Sequence, residues 1–175
     1  LSLQKKQEFS ERFIEVLARN ATADLFACKL HPLLSQNTLE AERDLVKNTP
    51  RIIRLTESFN ETQRYALQRC IRIMSRGMSE FQQIESLNGL EDMGHLDRYC
   101  YHVAGVVGEM LTELFCDHVE AVSPHRKTLM GLAVSFGQGL QMTNILKDFW
   151  EDRERQACWL PQSVFREVGC DLSTI

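Results

Sequence analysis

Apolar residues recur along this chain three and four apart, the spacing of a helix face, and no stretch keeps the alternation of a half-buried strand. From Leu1 to Leu17, the residues Leu3, Phe9, Phe13, Ile14 and Leu17 are in helical register. Asn20 to Phe26 reads as a break and restart, with Thr22 placed to cap the next helix. A short charged element is predicted over Leu39 to Asn48. Thr49-Pro50 opens another, running to about Glu57, with proline at the first position. Asn60 to Ser86 is a longer helix whose inner face is Leu67, Cys70, Ile71, Met74, Met78 and Phe81. The run Leu87 to Met93 reads as a loop. Beyond it Tyr99, Val103, Val106 and Met110 step by four, three and four along a helix from Leu96 to Phe115, with Val107 beside them. Gly105 and Gly108 sit on its flank, where close packing of another helix is the first reading. The prolines Pro32, Pro50, Pro124 and Pro161 mark turns. The expected fold class is all-α.

Composition changes this picture little. With 175 residues, 43% apolar and 25% charged, the chain can bury one core, so a single helical domain over 1–175 is expected. A net charge of -4 supplies no basic field, which weighs against nucleic acid as a partner. The six cysteines form no CxxC pair and the histidines are not spaced with them as zinc ligands. Cys100 and Cys116 lie inside apolar helical patterns, as small core residues do, and a reducing compartment follows. No apolar run approaches the roughly 18 residues of a membrane span, and no charged-then-apolar leader opens the chain. A cytoplasmic location is expected. The chain starts at Leu1 already in helical register and stops at Ile175 soon after Pro161, which reads as the middle of a longer protein.

Candidate chemistry concentrates in Gln141 to Asp152, QMTNILKDFWED. On a helix, Gln141, Asn144, Asp148 and Asp152 fall within an arc of about 60°. Asp148 and Asp152 then stack two like charges one turn apart, which destabilises an isolated helix by a few tenths of a kcal/mol unless a cation lies between them. The plainest account is the wet face of an amphipathic helix. Against it, Ile145, Leu146, Phe149 and Trp150 spread apolar surface around most of the turn, so the acidic stripe is expected to face a cavity or seam. Two carboxylates backed by two carboxamides are a hard-oxygen set suited to Mg²⁺ and a phosphate-bearing ligand.

These residues resemble the squalene and phytoene synthases, whose second aspartate-rich motif reads approximately QxxNIxRDxxEDxxxGRxYLP. The run QMTNILKDFWEDRERQACWLP matches it at Gln141, Asn144, Ile145, Asp148, Glu151, Asp152, Leu160 and Pro161. Upstream, HLDRYCYHVAGVVGEMLTELF is similar to the family's DxDxYCxxVAGxVG helix, and SRGMSEF to its GMxxF helix. Three motifs occur in order between Ser75 and Pro161. The family's first aspartate-rich motif has no counterpart here.

The resemblance implies an isoprenoid-synthase helical fold and Mg²⁺-dependent head-to-head condensation of two prenyl diphosphates, farnesyl diphosphate first among them. It implies Asp148 and Asp152 as metal ligands and catalytic groups, Gln141 and Asn144 as groups that place diphosphate and metal-bound water, and Tyr99 as the residue near the reacting carbons. Val103 and Val107 would wall the prenyl tunnel. Lys147 stands where the family has arginine and keeps the charge without the bidentate fork. Glu151 lies off the stripe as a surface or supporting acid. The family's GRxY becomes Gln156, Ala157, Cys158 and Trp159, so the basic residue expected at 157 is missing, with Arg153 or Arg155 as substitutes or as plain surface charges. The Ala-Cys-Trp run is closer to the bacterial branch, including presqualene diphosphate synthases of hopanoid pathways. NADPH would be needed if the product is squalene, and a lipid substrate would bring the protein transiently to a membrane surface. The sequence leaves oligomeric state and substrate length open. The main alternative is a non-catalytic helical scaffold of the same shape. A terpene cyclase is disfavoured because the QxxNIxxDxxED pattern belongs to the coupling family.

Overall fold

Ser2 starts the first helix, α1 (Leu3–Leu17), its side chain accepting the Lys5 N–H at 3.3 Å. The computed structural model describes residues 1–175, and they divide into two compact units, Leu1–Ser75 and Arg76–Ile175. In the first unit Phe9 and Val16 on α1 meet Phe26 and Ile53, with Phe13, Leu17, Ala23 and Leu30 packed around them. The Phe9 and Phe26 rings meet edge to face, centroids 5.9 Å apart, a favoured aromatic geometry. Phe26 belongs to α2 (Ala23–Leu30). Thr22 holds extended backbone before α2, but its hydroxyl makes no capping bond, so the cap expected there is one of backbone conformation only. Next come α3 (Glu40–Lys47) and α4 (Thr49–Glu57), the latter opening on Thr49-Pro50 as expected.

Asn60 and Gln63 exchange bonds at the start of α5 (Glu61–Phe81). The Asn60 side chain accepts the Gln63 N–H at 2.9 Å, and the Gln63 side chain accepts the Asn60 N–H at 3.2 Å, a reciprocal cap that fixes the helix start. The boundary between the units falls inside this helix. The helix ends at Phe81, short of the Ser86 expected. Gln83 and Ile84 donate to carbonyls only three residues back, which tightens and ends the turn, and the Ser86 carbonyl is taken by the Cys158 N–H at 2.9 Å.

The second unit is built on α6 (Met93–Cys100), α7 (Val106–His118), α8 (Arg126–Lys147), α9 (Phe149–Glu154) and α10 (Gln162–Glu167). Asp92 caps α6 by accepting the His95 N–H at 2.8 Å. Between α6 and α7 the chain does not leave the helix but widens into a π-turn, Tyr101–Gly105, in which the Val106 N–H bonds the Tyr101 carbonyl five residues back. Sequence periodicity joined these elements into one regular helix. The surplus residue of the π-turn breaks the face predicted from Tyr99 to Met110: Tyr99 and Val106 are buried, whereas Val103, Val107 and Met110 are half-buried.

Helices α7 and α8 cross on glycine. A Cβ on Gly108 would lie 2.4 Å from the Ala133 carbonyl oxygen, and one on Gly137 would lie 2.6 Å from that of Ala104, so backbone meets backbone here. The packing role expected of Gly108 is the one observed. Arg126 at the start of α8 forks onto Glu113 of α7, with its closest contact at 2.5 Å. After α9 the chain runs extended through Ala157–Pro161, all buried or half-buried, and zips onto the loop at 86–91. The Leu90 N–H donates to Leu160 and the Gln162 N–H to Leu90, at 2.9 and 2.7 Å. That bridge is isolated and the structure has no β-strand; the molecule is all-α as expected. No helix is long and apolar enough to cross a membrane.

Candidate active site

Asp148 does not sit within a helix. It closes α8 at φ -95° and ψ 9° and opens α9, so the continuous helix expected over Gln141 to Asp152 is two helices meeting at this residue. The hydrogen-bond ladder still passes through the junction: Asp148 N–H donates to Asn144 at 2.8 Å, and Asp152 N–H donates to Asp148 at 2.9 Å. Asn144, Asp148 and Asp152 therefore remain stacked one turn apart. Polarity sets the break apart from the flanks, since Ile145 is buried while Asp148 and Asp152 keep partial access to solvent.

The two carboxylates differ in environment. Asp148 is the more open and takes the Lys147 ammonium at 3.4 Å, a point-charge contact on an exposed side chain. Burial pushes the Asp152 carboxyl above its ordinary value, Arg155 opposes that rise, and the nearby acids Asp148, Glu151 and Glu85 add to it. Such mutual repulsion marks a place where a cation would be welcome. Gln141 is half-buried and Asn144 exposed on the same α8 face. No group of three or more His, Cys, Asp or Glu side chains is gathered closely enough to hold a metal by itself.

Tyr99 lies within electrostatic reach of Asp152. It is 5% exposed, in a cluster with Phe81, Leu90, Leu96, Cys100, Ile145, Ala157 and Trp159, against which Val103 also packs. Burial, then the charges of Asp152, Cys100 and Glu85, hold its phenol far above the usual range, so it stays a neutral proton donor. One face of its ring is covered by the Trp159 indole, centroids 4.4 Å apart and planes 7° from parallel. The structure thus brings together Tyr99, Val103 and Asp152, joined through α8 and α9 to Asn144 and Asp148, while Val107 sits half-buried on α7 past the π-turn.

Two residues of this neighbourhood carry no mark in the helical pattern. Glu85, expected inside the helix read over Asn60 to Ser86, lies in a loop past the end of α5 at Phe81. Trp159 lies on the extended segment, and its only sequence signal is that it replaces the tyrosine of the motif. The flanking arginines have structural partners. Arg155 pairs with Glu151 at 2.5 Å, which makes Glu151 a surface acid in an ion pair. Arg153 donates to the Leu172 and Ile175 carbonyls at 2.8 and 2.9 Å and lies over the Phe149 ring.

Comparison with known proteins matches residues 8–175 to a family model described as squalene/phytoene synthase. A squalene synthase of Gibberella zeae is 36% identical over 98 residues, covering 55% of this chain and 21% of the relative. One from Cochliobolus lunatus is 29% identical over 134 residues, covering 77% of this chain and 32% of the relative. A phytoene synthase of Thermus thermophilus is 38% identical over 78 residues, 45% of this chain and 24% of the relative. The chain thus spans about a fifth to a third of the length of these curated relatives.

Proposed function

The chain belongs to the squalene/phytoene synthase family, and from that premise we propose that the whole protein joins two prenyl diphosphates head to head, releasing diphosphate. Farnesyl diphosphate is the substrate proposed, with presqualene diphosphate formed on the way to a C30 or C40 product. The observation that supports this most directly is the Asp148–Asp152 pair, stacked one turn apart, with the Asp152 carboxyl raised by burial and the buried Tyr99 phenol within reach of Asp152.

Asp148 and Asp152 would hold Mg²⁺. The donor set suits it, being hard oxygens whose repulsion a cation relieves, and two carboxylates leave the ion's other positions to water and to diphosphate. When bound, the ion supplies Lewis-acid neutralisation of the leaving group. The chain's own residues do the rest. Gln141 and Asn144 orient the diphosphate and its water by their carboxamides. Lys147, already drawn to Asp148, offers a mobile positive charge to a phosphate oxygen. Tyr99, kept protonated by its surroundings, donates from its hydroxyl towards the diphosphate. Val103 and Val107 present apolar surface that keeps water from a cationic intermediate. NADPH enters if the product is squalene, and the lipid product makes transient contact with a membrane surface part of the same reading.

The test is a product assay on the full-length protein with farnesyl diphosphate and Mg²⁺, with and without NADPH, analysing lipid extracts by mass spectrometry. A C30 diphosphate indifferent to NADPH is the expected presqualene product, and NADPH-dependent squalene extends it. Asp148→Asn is expected to lower turnover by on the order of 100-fold or more, and retained turnover would sink its assignment as a ligand. A second reading, a helical scaffold without catalysis, draws on the gathering of fewer than three ligating groups in this region. It takes the lead if neither farnesyl nor geranylgeranyl diphosphate is coupled.

A further inference from the structure

Trp159 occupies a place in this site that the metal and diphosphate chemistry does not use. Its indole is 9% exposed and lies flat on Tyr99, while the Phe81 ring meets Tyr99 from another side at 5.1 Å and 77°. Trp159 is itself held from both ends. Ala157 N–H bonds the Asp152 carbonyl, Cys158 N–H bonds Ser86, and Leu160 and Pro161 are zipped to Leu90. The register is closed further at Gly89, at φ 82°, where a Cβ would lie 2.4 Å from the Leu160 carbonyl oxygen. The backbone that carries the indole is therefore pinned on both sides.

The ring of Tyr99 is enclosed, yet its tip is not. No protein group hydrogen-bonds its hydroxyl, and no side-chain polar atom in the molecule is both buried and unpartnered, so the hydroxyl reaches accessible surface. A buried phenol held between two aromatic rings, with its hydroxyl accessible, is arranged as a preorganised donor is, rather than as core filling.

We propose that Trp159 is a positioning residue: by stacking on Tyr99 against Phe81, it holds the phenol against swinging about its Cα–Cβ bond and so presents the Tyr99 hydroxyl towards Asp152. The role in catalysis rests on the coupling activity proposed above; the clamp itself does not. The phenol oxygen lies on the axis of the ring's own rotation, so the Cα–Cβ torsion places it, and a flat neighbour on the ring face opposes that swing. Leu and Met are smaller than Trp and lack its flat face, while Phe is also smaller but keeps one, so comparing them separates lost stacking from lost volume.

The experiment uses the full-length protein with Trp159→Leu, Trp159→Phe and Tyr99→Phe, singly and with Trp159→Leu combined with Tyr99→Phe. Trp159→Met stands in for Leu if Leu is unfolded at the assay temperature. Expected for Leu is a fall in kcat on the order of 10- to 100-fold, as misplacement of a reacting group produces, with KM for the prenyl diphosphate within about threefold. Trp159→Phe, which restores a flat ring, recovers to within about threefold of the parent. In the Tyr99→Phe background the Leu substitution adds little, because the hydroxyl it would misplace is gone. Equal activity of the Phe and Leu proteins, a loss confined to KM, or an undiminished loss in the Tyr99→Phe background overturns the proposal. A readout independent of turnover is the Tyr99 Cα–Cβ torsion, followed through three-bond couplings by NMR of ¹³C-tyrosine-labelled protein. A single rotamer is expected in the parent and the Phe protein and averaging between rotamers in Leu. If the parent couples no prenyl diphosphates the proposed function fails, and an unaveraged torsion in Leu then overturns the clamp separately.

Discussion

At Asp152 the fold carries an electrostatic cost in the absence of a cation. Its carboxyl is raised on folding by burial and by Asp148, Glu151 and Glu85, with Arg155 opposing, so the native state retains a proton that the unfolded chain has already released. A raised carboxyl contributes its stability at low pH and loses it as pH rises through the folded value. Metal-free protein should therefore gain stability as pH is lowered through that value towards the ordinary one of 3.8, and Asp152→Asn should flatten this gain; urea midpoints followed from neutrality down to the ordinary value measure it. Gln156 carries a cost of another kind. It sits at φ 65°, in the left-handed region, at the position where the resembled motif has glycine. Gln156→Gly is expected to stabilise by about 0.5–1 kcal/mol, read as a higher urea midpoint with an unchanged slope. The motif match pointed to this position as a departure, but the departure noted was the missing basic residue at 157; a backbone angle has no signature in residue spacing.

Among the elements, the helices with a clean apolar stripe were legible. Phe9, Phe13 and Leu17 mark α1, and Thr49-Pro50 marks the start of α4, because burial and backbone chemistry there act over three or four neighbouring residues. Three boundaries were not. The end of α5 at Phe81 and the π-turn at Tyr101–Gly105 lie where distant segments intervene, and the break at Asp148 is a change of backbone angle at one residue. The Ser86 carbonyl is claimed by Cys158, and α8 presses on the π-turn through Gly137 against Ala104 and Gly105. Local periodicity cannot register a partner that is remote in sequence. The helix crossing gives a direct check. Gly137→Ala forces a methyl against the Ala104 backbone, which cannot swing away as a side chain would, and should destabilise by about 1–3 kcal/mol, whereas Gly139→Ala, with open space around it, should be neutral or stabilising. Thermal midpoints of the two variants separate these outcomes.

Over the whole molecule, the six thiols report how each compact unit is filled. Cys28 and Cys170 are exposed, while Cys70, Cys100, Cys116 and Cys158 are buried. Burial, with a smaller contribution from Asp97, pushes the Cys100 thiol up to about 11. Native protein at pH 8 should react quickly with a disulfide reagent at Cys28 and Cys170 alone, and denaturant should release the other four; fast modification of Cys100 would contradict the packing around Tyr99. The sequence patterns did foretell Cys100 and Cys116 as core residues. What they left unmarked was the arrival at Tyr99 of Trp159, on an extended segment, and of Glu85, in a loop that periodicity read as helix. That arrival has a consequence in time. Tyr99 leaves the ribosome well before Trp159, and the pairing of Leu90 with Leu160 and Pro161 closes a long loop across the second unit. Contacts of that separation form late, after the local turns of α6 and α7, because the chain must first give up the freedom of everything between them. Maturation of the Tyr99 environment is then a late event in folding of the second unit: its helices can all be formed and Tyr99 still lack its cover until the Ala157–Pro161 segment has found its seam.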